Sequence, residues 1–442
     1  MTGAAMQRID GGRVLPCADR TVIERGTVVL DGDRIAWVGS TDALPREYAD
    51  VASIDASGLT VLPGLIDAHM HVSFGEARSE EELSIHTPMA YRAIRASVDA
   101  ARVLRAGVTT ACDPGGPQGI ATAVRDAIEA GLVEGPRMSA AGRQITTQQG
   151  IGDTLPRWLG PVSSAFGLLV HGADEIVQEI RDEVKDGVDL IKIAGSGPGT
   201  AEFGAFTLAE LRAAVEEAHR LARPITIHAR SRQSVADAVE AGFDWIMHAS
   251  YMDDATLERV IERDIPLVPA FTLLVNSLEA GAGVLPTSGA DAIRRELDAA
   301  VAILTKAVSG GATLIAGSES GFAVTPYGQW HTRDAELYVE LLGMNDHDAL
   351  LCLTRNAARA TPRHGADVGV LAPGKFADVL LVDGRPDEDI RVLADRSRLR
   401  AVLKGGEPVA LAEGHADRPR PRLSFERTRI YTNAPFERSE PT

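Results

Sequence analysis

Eight times between Leu62 and Thr361 a short apolar run is followed by a stretch of helical spacing. The runs are Leu62–Val72, Val108–Asp113, Arg137–Gly142, Asp189–Gly195, Ile225–Ala229, Trp245–Ser250, Pro266–Ala270 and Thr313–Ser318. Between them lie segments such as Ala90–Arg105, Ala173–Lys185 and Leu208–Leu221, which read as amphipathic helices. A repeated strand-then-helix order leaves few architectures open. Each crossover helix has to return over the sheet, so the strands end up parallel and covered. Eight such units in about 300 residues match the size of a closed α/β barrel, the (β/α)₈ or TIM barrel.

Strand character frames this region at both ends. Thr27–Asp31 and Arg34–Gly39 flank Gly32-Asp33, a hairpin turn signal. Beyond Thr361, Ala377–Val382 and Leu399–Lys404 are apolar runs bounded by glycines. The economical arrangement is one small β-sandwich domain built jointly by residues 1–61 and 362–442, with 62–361 forming the barrel. The tail from Ala416 is rich in Arg, Pro and Glu and is expected to order only by docking.

Composition removes several functions. Asp and Glu exceed Lys and Arg by 62 to 45, giving a formal charge of −17. A phosphate-tracking surface needs a basic stripe, so nucleic acid is not an expected partner. No apolar run approaches the length of a membrane span, and the first residues lack the apolar core of a secretion signal. A cytoplasmic location is expected, with a small-molecule substrate. A homo-oligomer is compatible with this fold class, and no interface is legible. Cys17, Cys112 and Cys352 form no CxxC pair and read as packing residues.

Four of the eleven histidines fall at the carboxyl ends of expected barrel strands, the end where barrel active sites sit. His69 and His71 lie two apart on the first strand, so both imidazoles point to the same side. His228 and His248 end the fifth and sixth strands. Lys192 stands inside Leu190-Ile191-Lys192-Ile193-Ala194, where an ammonium is costly to bury without a partner. Carbamylation by carbon dioxide would turn it into a carboxylate able to bridge two cations. Glu319, in Gly317-Ser318-Glu319-Ser320-Gly321, is the one carboxylate closing the last strand. It is a candidate metal ligand and proton carrier. A single strand histidine is usually a packing residue. Five candidate ligands on strands one, four, five and six at one end of a barrel are a different matter. His86, His171, His219, His331, His347, His364 and His415 read as surface groups in helices and loops.

Val61-Leu62-Pro63-Gly64-Leu65-Ile66-Asp67-Ala68-His69-Met70-His71 resembles the signature first strand of the amidohydrolase superfamily. Val28–Ile35, Thr354–Ala358 and Gly369–Val379 resemble its leading β segment, closing helix and returning β domain. Within the superfamily the chain is most similar to the imidazolonepropionase-like branch, which includes Xaa-Pro dipeptidases and hydrolases of ureas and thiocarbamates. The resemblance implies that His69 and His71 bind a buried metal, that carboxylated Lys192 bridges two, and that His228 and His248 bind the more exposed one. The ions are expected to be zinc, one or two in number.

Three positions depart from the pattern. Glu319 stands where the family has aspartate, one methylene further out. Gln149 stands where the branch often has histidine. His228-Ala229-Arg230 replaces a histidine pair, and Arg230 is suited to clamp a substrate carboxylate bidentately. Arg230, Gln149, Trp158 and Tyr251 are expected to shape the pocket, with Ile145–Leu169 as a lid or a rigid insertion. The expected activity is hydrolysis of an amide, urea or carbamate-like C–N bond by metal-bound hydroxide, with Glu319 passing the proton to the leaving nitrogen. The alternatives are a mononuclear deaminase-type enzyme and a non-hydrolytic or metal-binding homologue diverted at Glu319.

Overall fold

A computed structural model describes residues 6–411 apart from 80, 154, 198–202 and 281–286. The tail from Ala416 and His415 lie outside the described residues.

The two ends of the chain share one eight-stranded sheet. Ile23–Asp31 and Arg34–Ser40 pair antiparallel around the expected turn, where Gly32 takes a φ of +59°. Gln7–Val14 pairs with Ile23–Asp31 and, in parallel, with Thr60–Pro63. Val379–Val382 then inserts antiparallel beside Thr60–Pro63, and Leu399–Lys404 follows it. Alternate residues of a strand point to opposite faces, and here each face has its own core. Val379 and Leu381 pack with Ile9, Val28 and Leu30, whereas Leu380 and Val382 pack against the main body.

The main body is parallel. Leu65–Asp67, Val108–Asp113 and Arg137–Ala140 form a three-stranded sheet. Gly167–Leu169, Gln144–Thr146, Ile191–Ala194, Ile225–Ala229, Trp245–His248 and Leu267–Val268 form a six-stranded one, in that order. Its central strands are buried along their whole length, as continuous apolar runs require. Helices cover them. Leu208–Arg220 starts at a capping box between Thr207 and Glu210 and buries Leu211, Ala214, Val215 and Ala218 on one face.

Two expected runs behave differently in the structure. The first divides at Gly64: Thr60–Pro63 joins the terminal sheet and Leu65–Asp67 the parallel one. A Cβ at Gly64 would lie 2.0 Å from the Thr109 hydroxyl, so only glycine lets the chain pass. The last run, Thr313–Ser318, pairs through single bridges. Leu314 bridges Leu267, and the Ala68 amide donates to Ala316 at 3.2 Å. The stretch Ile145–Leu169 is held at its two ends by the parallel pair Gln144–Thr146 and Gly167–Leu169. All three cysteines are buried and free. Among the described residues no helix is long and apolar enough to cross a membrane.

Asp334 joins three elements from inside the protein. Its carboxylate accepts the Thr272 amide (2.9 Å) and hydroxyl (2.6 Å), the Gly317 amide (3.2 Å) and the Tyr338 hydroxyl (3.1 Å). Burial pushes its carboxyl up to about 6, and these donors oppose that rise. Asn at 334 would turn N–H groups toward donors. Asp334→Asn is expected to lower unfolding stability by about 2–4 kcal/mol, read from urea midpoints. An unchanged midpoint would show that the knot is dispensable.

Candidate metal centre

The strand ends hold the chemistry. On Ile191–Ala194, Ile191 and Ile193 join the main core, and Lys192 between them faces a cavity and is 1% exposed. His228 and His248 stand at the ends of adjacent strands with ring centroids 4.3 Å apart. His69 and His71 follow Leu65–Asp67, their centroids 5.2 Å apart. Opposite them Glu319 places Oε1 3.1 Å from His69 Nε2 and 3.5 Å from His248 Nε2. One ligand atom each from His69, His71 and Glu319 lies within 4.8 Å of the other two. The backbone here is unusual. His248, Ala249, Ala270 and Glu319 all have positive φ, between 51° and 72°. Such conformations cost free energy in residues with side chains and gather at functional sites.

Outer partners orient the rings. His71 Nδ1 lies 2.8 Å from the Gly115 carbonyl, so Nε2 is the nitrogen left to face inward, and the ring stacks on Phe74 at 4.1 Å. The Asp113 carboxylate accepts the amides of Val72 and Gly115 and so braces the loop holding that carbonyl.

Burial dominates the electrostatics. It drives the pKa values of His69, His228 and His248 well below the usual imidazole value, with neighbouring cations adding to the effect. Burial lowers the Lys192 ammonium to about 7, against the pull of Glu319. It raises Glu319, which His71, Arg230 and Lys192 counter. The imidazoles are therefore held neutral, the form that binds a cation. Among the described residues, His69 Nδ1, His228 Nε2 and His248 Nε2 are buried without a hydrogen-bond partner. Each orphan costs about 1–3 kcal/mol, which a cation would relieve. Nitrogen and carboxylate donors of this kind fit zinc.

The cavity above has a volume of about 1150 Å³. Its floor is His69, His71, Lys192, His228, Arg230 and Glu319. Phe74, Phe166, Leu274, Phe322 and Trp330 are among its apolar walls. His248 lies beside His228 and outside the cavity lining. Arg230 lines the floor, with Nε 3.1 Å from Glu296 Oε1, a wholly buried carboxylate on the helix Thr287–Ser309.

The other expected pocket residues lie elsewhere. Gln149 is exposed in a turn, its amide bonded to Asp153. Trp158 is 83% exposed. Tyr251 is half-buried and donates its amide to the Arg230 carbonyl at 2.9 Å. None of the three lines the cavity. Gln144, Phe166 and Trp330 do, and sequence reasoning passed over them.

Two histidines read as surface groups are buried: His331 at 3% exposure and His347 at 9%. His331 is drawn in by Asp67, 264 positions away, and no local pattern announces such a partner.

The depressed imidazole values set a pH dependence for the metal-free protein. Unfolded histidines titrate near 6.5, above their folded values, so their contribution is complete above that pH and is lost on acidification. Glu319 and Asp334, raised on folding, act with the opposite sign. Comparison with His228→Gln isolates one imidazole. The stability advantage of the native chain over that variant is expected to shrink between pH 7.5 and 5.5, by up to about 1.4 kcal/mol per unit. An advantage that grows on acidification would rule out a neutral buried His228.

Comparison with known proteins agrees with this geometry. The chain is 25% identical over 420 residues to ochratoxinase of Aspergillus niger, covering 90% of this chain and 85% of the relative. It is 25% identical over 414 residues to imidazolonepropionase of Paracoccus denitrificans, covering 88% and 95%. A crystal structure of a Xaa-Pro dipeptidase with bound methionine superposes with a TM-score of 0.81 at 27% identity, covering 91% of this chain and 99% of that one. The model of the amidohydrolase family matches residues 60–409, more than half the chain. The resemblance seen around His69 and His71 thus extends over residues 60–409, and the chain belongs to the amidohydrolase family.

Proposed function

We propose that this chain hydrolyses a C–N bond, of amide, urea or carbamate-like type, in a small molecule. The reaction would depend on one or two divalent cations, zinc foremost. The observation that carries this reading is the convergence of His69, His71, Lys192, His228 and Glu319 on one cavity floor, with His248 beside His228. Ochratoxinase, imidazolonepropionase and a Xaa-Pro dipeptidase among the similar proteins support it. The parallel strands are read as a closed (β/α)₈ barrel of residues 62–361. The bridges Leu267–Leu314 and Met70–Ser320 support that closure. Residues 1–61 and 362–442 are read as the composite β domain.

His69, His71, Lys192, His228, His248 and Glu319 would hold the metal. A bound divalent cation supplies Lewis acidity for a carbonyl and for water. The remaining work falls to side chains. At about 7, the Lys192 amine is partly free near neutral pH. Its nitrogen lone pair can add to carbon dioxide, forming the N–C bond and releasing one proton, which leaves a carboxylate in place of a cation. Glu319, its carboxyl raised by burial, takes a proton from attacking water and returns it to the leaving nitrogen. The apolar walls exclude water and favour a substrate with a bulky apolar portion. Arg230 orients a polar end of it.

The deaminase alternative would hold a single ion on His69, His71, His228 and Glu319 with Lys192 unmodified, and metal counting separates the two. The native chain, purified without chelator and incubated with zinc and bicarbonate, is expected to hold about two ions. Lys192→Ala is expected to hold one or none. Glu319→Gln should lose roughly 10²–10⁴-fold in kcat on a panel of acyl amides, ureas and carbamates. One ion together with ammonia release from aminopyrimidines would favour the deaminase. No bound ion and no turnover of the panel would overturn the hydrolase reading.

A further inference from the structure

The loop after Glu319 supplies one wall of the cavity, through Phe322, Ala323, Val324 and Trp330. Its near end is laced to the first strand. The Glu76 amide donates to Gly321 (2.7 Å), the Ala323 amide to Ala77 (3.0 Å) and the Tyr327 hydroxyl to the His71 carbonyl (2.5 Å). Asn276 donates to the Val324 carbonyl (2.8 Å) and Glu76 accepts the Tyr327 amide (3.3 Å), and at the far end a histidine takes over. His331 accepts the Gly328 amide on Nε2 at 2.9 Å, and its Nδ1 lies 2.6 Å from Asp67 Oδ2. With Nε2 accepting, Nδ1 carries the proton and donates to the carboxylate. That carboxylate also accepts the His69 amide (3.1 Å), the Ser318 amide (3.1 Å) and the Ser318 hydroxyl (2.5 Å). One imidazole therefore spans the wall-bearing loop and the group that fixes the backbone beside His69 and Glu319.

We infer that His331 is a positioning residue for this site, acting from outside the cavity through both ring nitrogens. Nε2 seats the Phe322–Trp330 wall by holding Gly328, which governs how the apolar part of a substrate fits. Nδ1 keeps Asp67 oriented toward Ser318 and His69, which governs where Glu319 stands. The two imidazole nitrogens point to opposite sides of a rigid ring, whereas the oxygen and nitrogen of an Asn or Gln amide point the same general way. The kinetic half of this inference rests on the hydrolase reading, and the structural half does not.

Hydrogen exchange on the native chain comes first, since it needs no variant. Peptides covering 322–332 should show a Gly328 amide protected at least ~100-fold over an unstructured chain. Rapid exchange there would overturn the clip. His331→Asn retains a donor for Asp67 but is too short to reach Gly328. It should speed exchange in 322–332 by roughly tenfold and raise KM for a bulky apolar substrate by a similar factor, with kcat changed less than about threefold. His331→Gln, which can reach Gly328 but not donate from the Nδ1 position, should instead lower kcat by roughly tenfold or more. Equal effects of the two variants on KM and kcat would mean that His331 only supports folding, and the inference would fail. If no substrate is turned over by any form, the hydrolase reading fails while exchange still judges the clip.

Discussion

Desolvation at the strand ends is the constraint around which this molecule is built. Lys192, Glu319 and four imidazoles are almost wholly buried side by side. No neutral packing rearrangement relieves it, because Lys192, His228 and His248 are carried inward by strands whose alternate residues are locked in the core. Ile191 and Ile193 decide where Lys192 points as firmly as Lys192 does itself. The surroundings answer with fixed dipoles: the Gly115 carbonyl on His71, and the buried carboxylates of Asp67 and Glu296 one layer out. Such a site stores electrostatic free energy that a cation of suitable size and charge would release, so folding and metal affinity are coupled.

The arrangement also explains where the backbone is irregular. Strands that simply ended would leave side chains on alternate faces. His248 and Glu319 take left-handed conformations, and their side chains meet at 3.5 Å. Gly317 then has to pass close to His69, where a Cβ would lie 2.5 Å from that of the histidine. The last expected strand pairs only through isolated bridges because it serves this approach as well as the sheet.

Much of this was legible in the sequence, for a physical reason. Apolar runs reveal buried strands, and a polar residue interrupting such a run has to be tolerated by something inside. Lys192, His228 and His248 stand out on that basis, and His69-Met70-His71 by its spacing. The loops offered no equivalent constraint. Gln149 and Trp158 looked suited to a pocket but stand on the surface, whereas Gln144 and Trp330 line it. The course of a loop depends on partners far along the chain, as with His331 and Asp67. Thr313–Ser318 was legible as an apolar run, while its broken pairing follows from close approaches that periodicity does not encode.

The sheet shared by the two ends has a consequence for how the chain comes into being. Val379–Val382 sits between Thr60–Pro63 and Leu399–Lys404, contributing to two cores at once. During synthesis Thr60–Pro63 therefore leaves the ribosome with one edge unpaired and waits for more than three hundred residues before its neighbour exists. Pairings so distant in sequence are slow to form, and an unpaired apolar edge is a template for association with other chains. All the residues between them are synthesised before that neighbour exists, which makes the order of assembly, as much as the final contacts, a property of this topology.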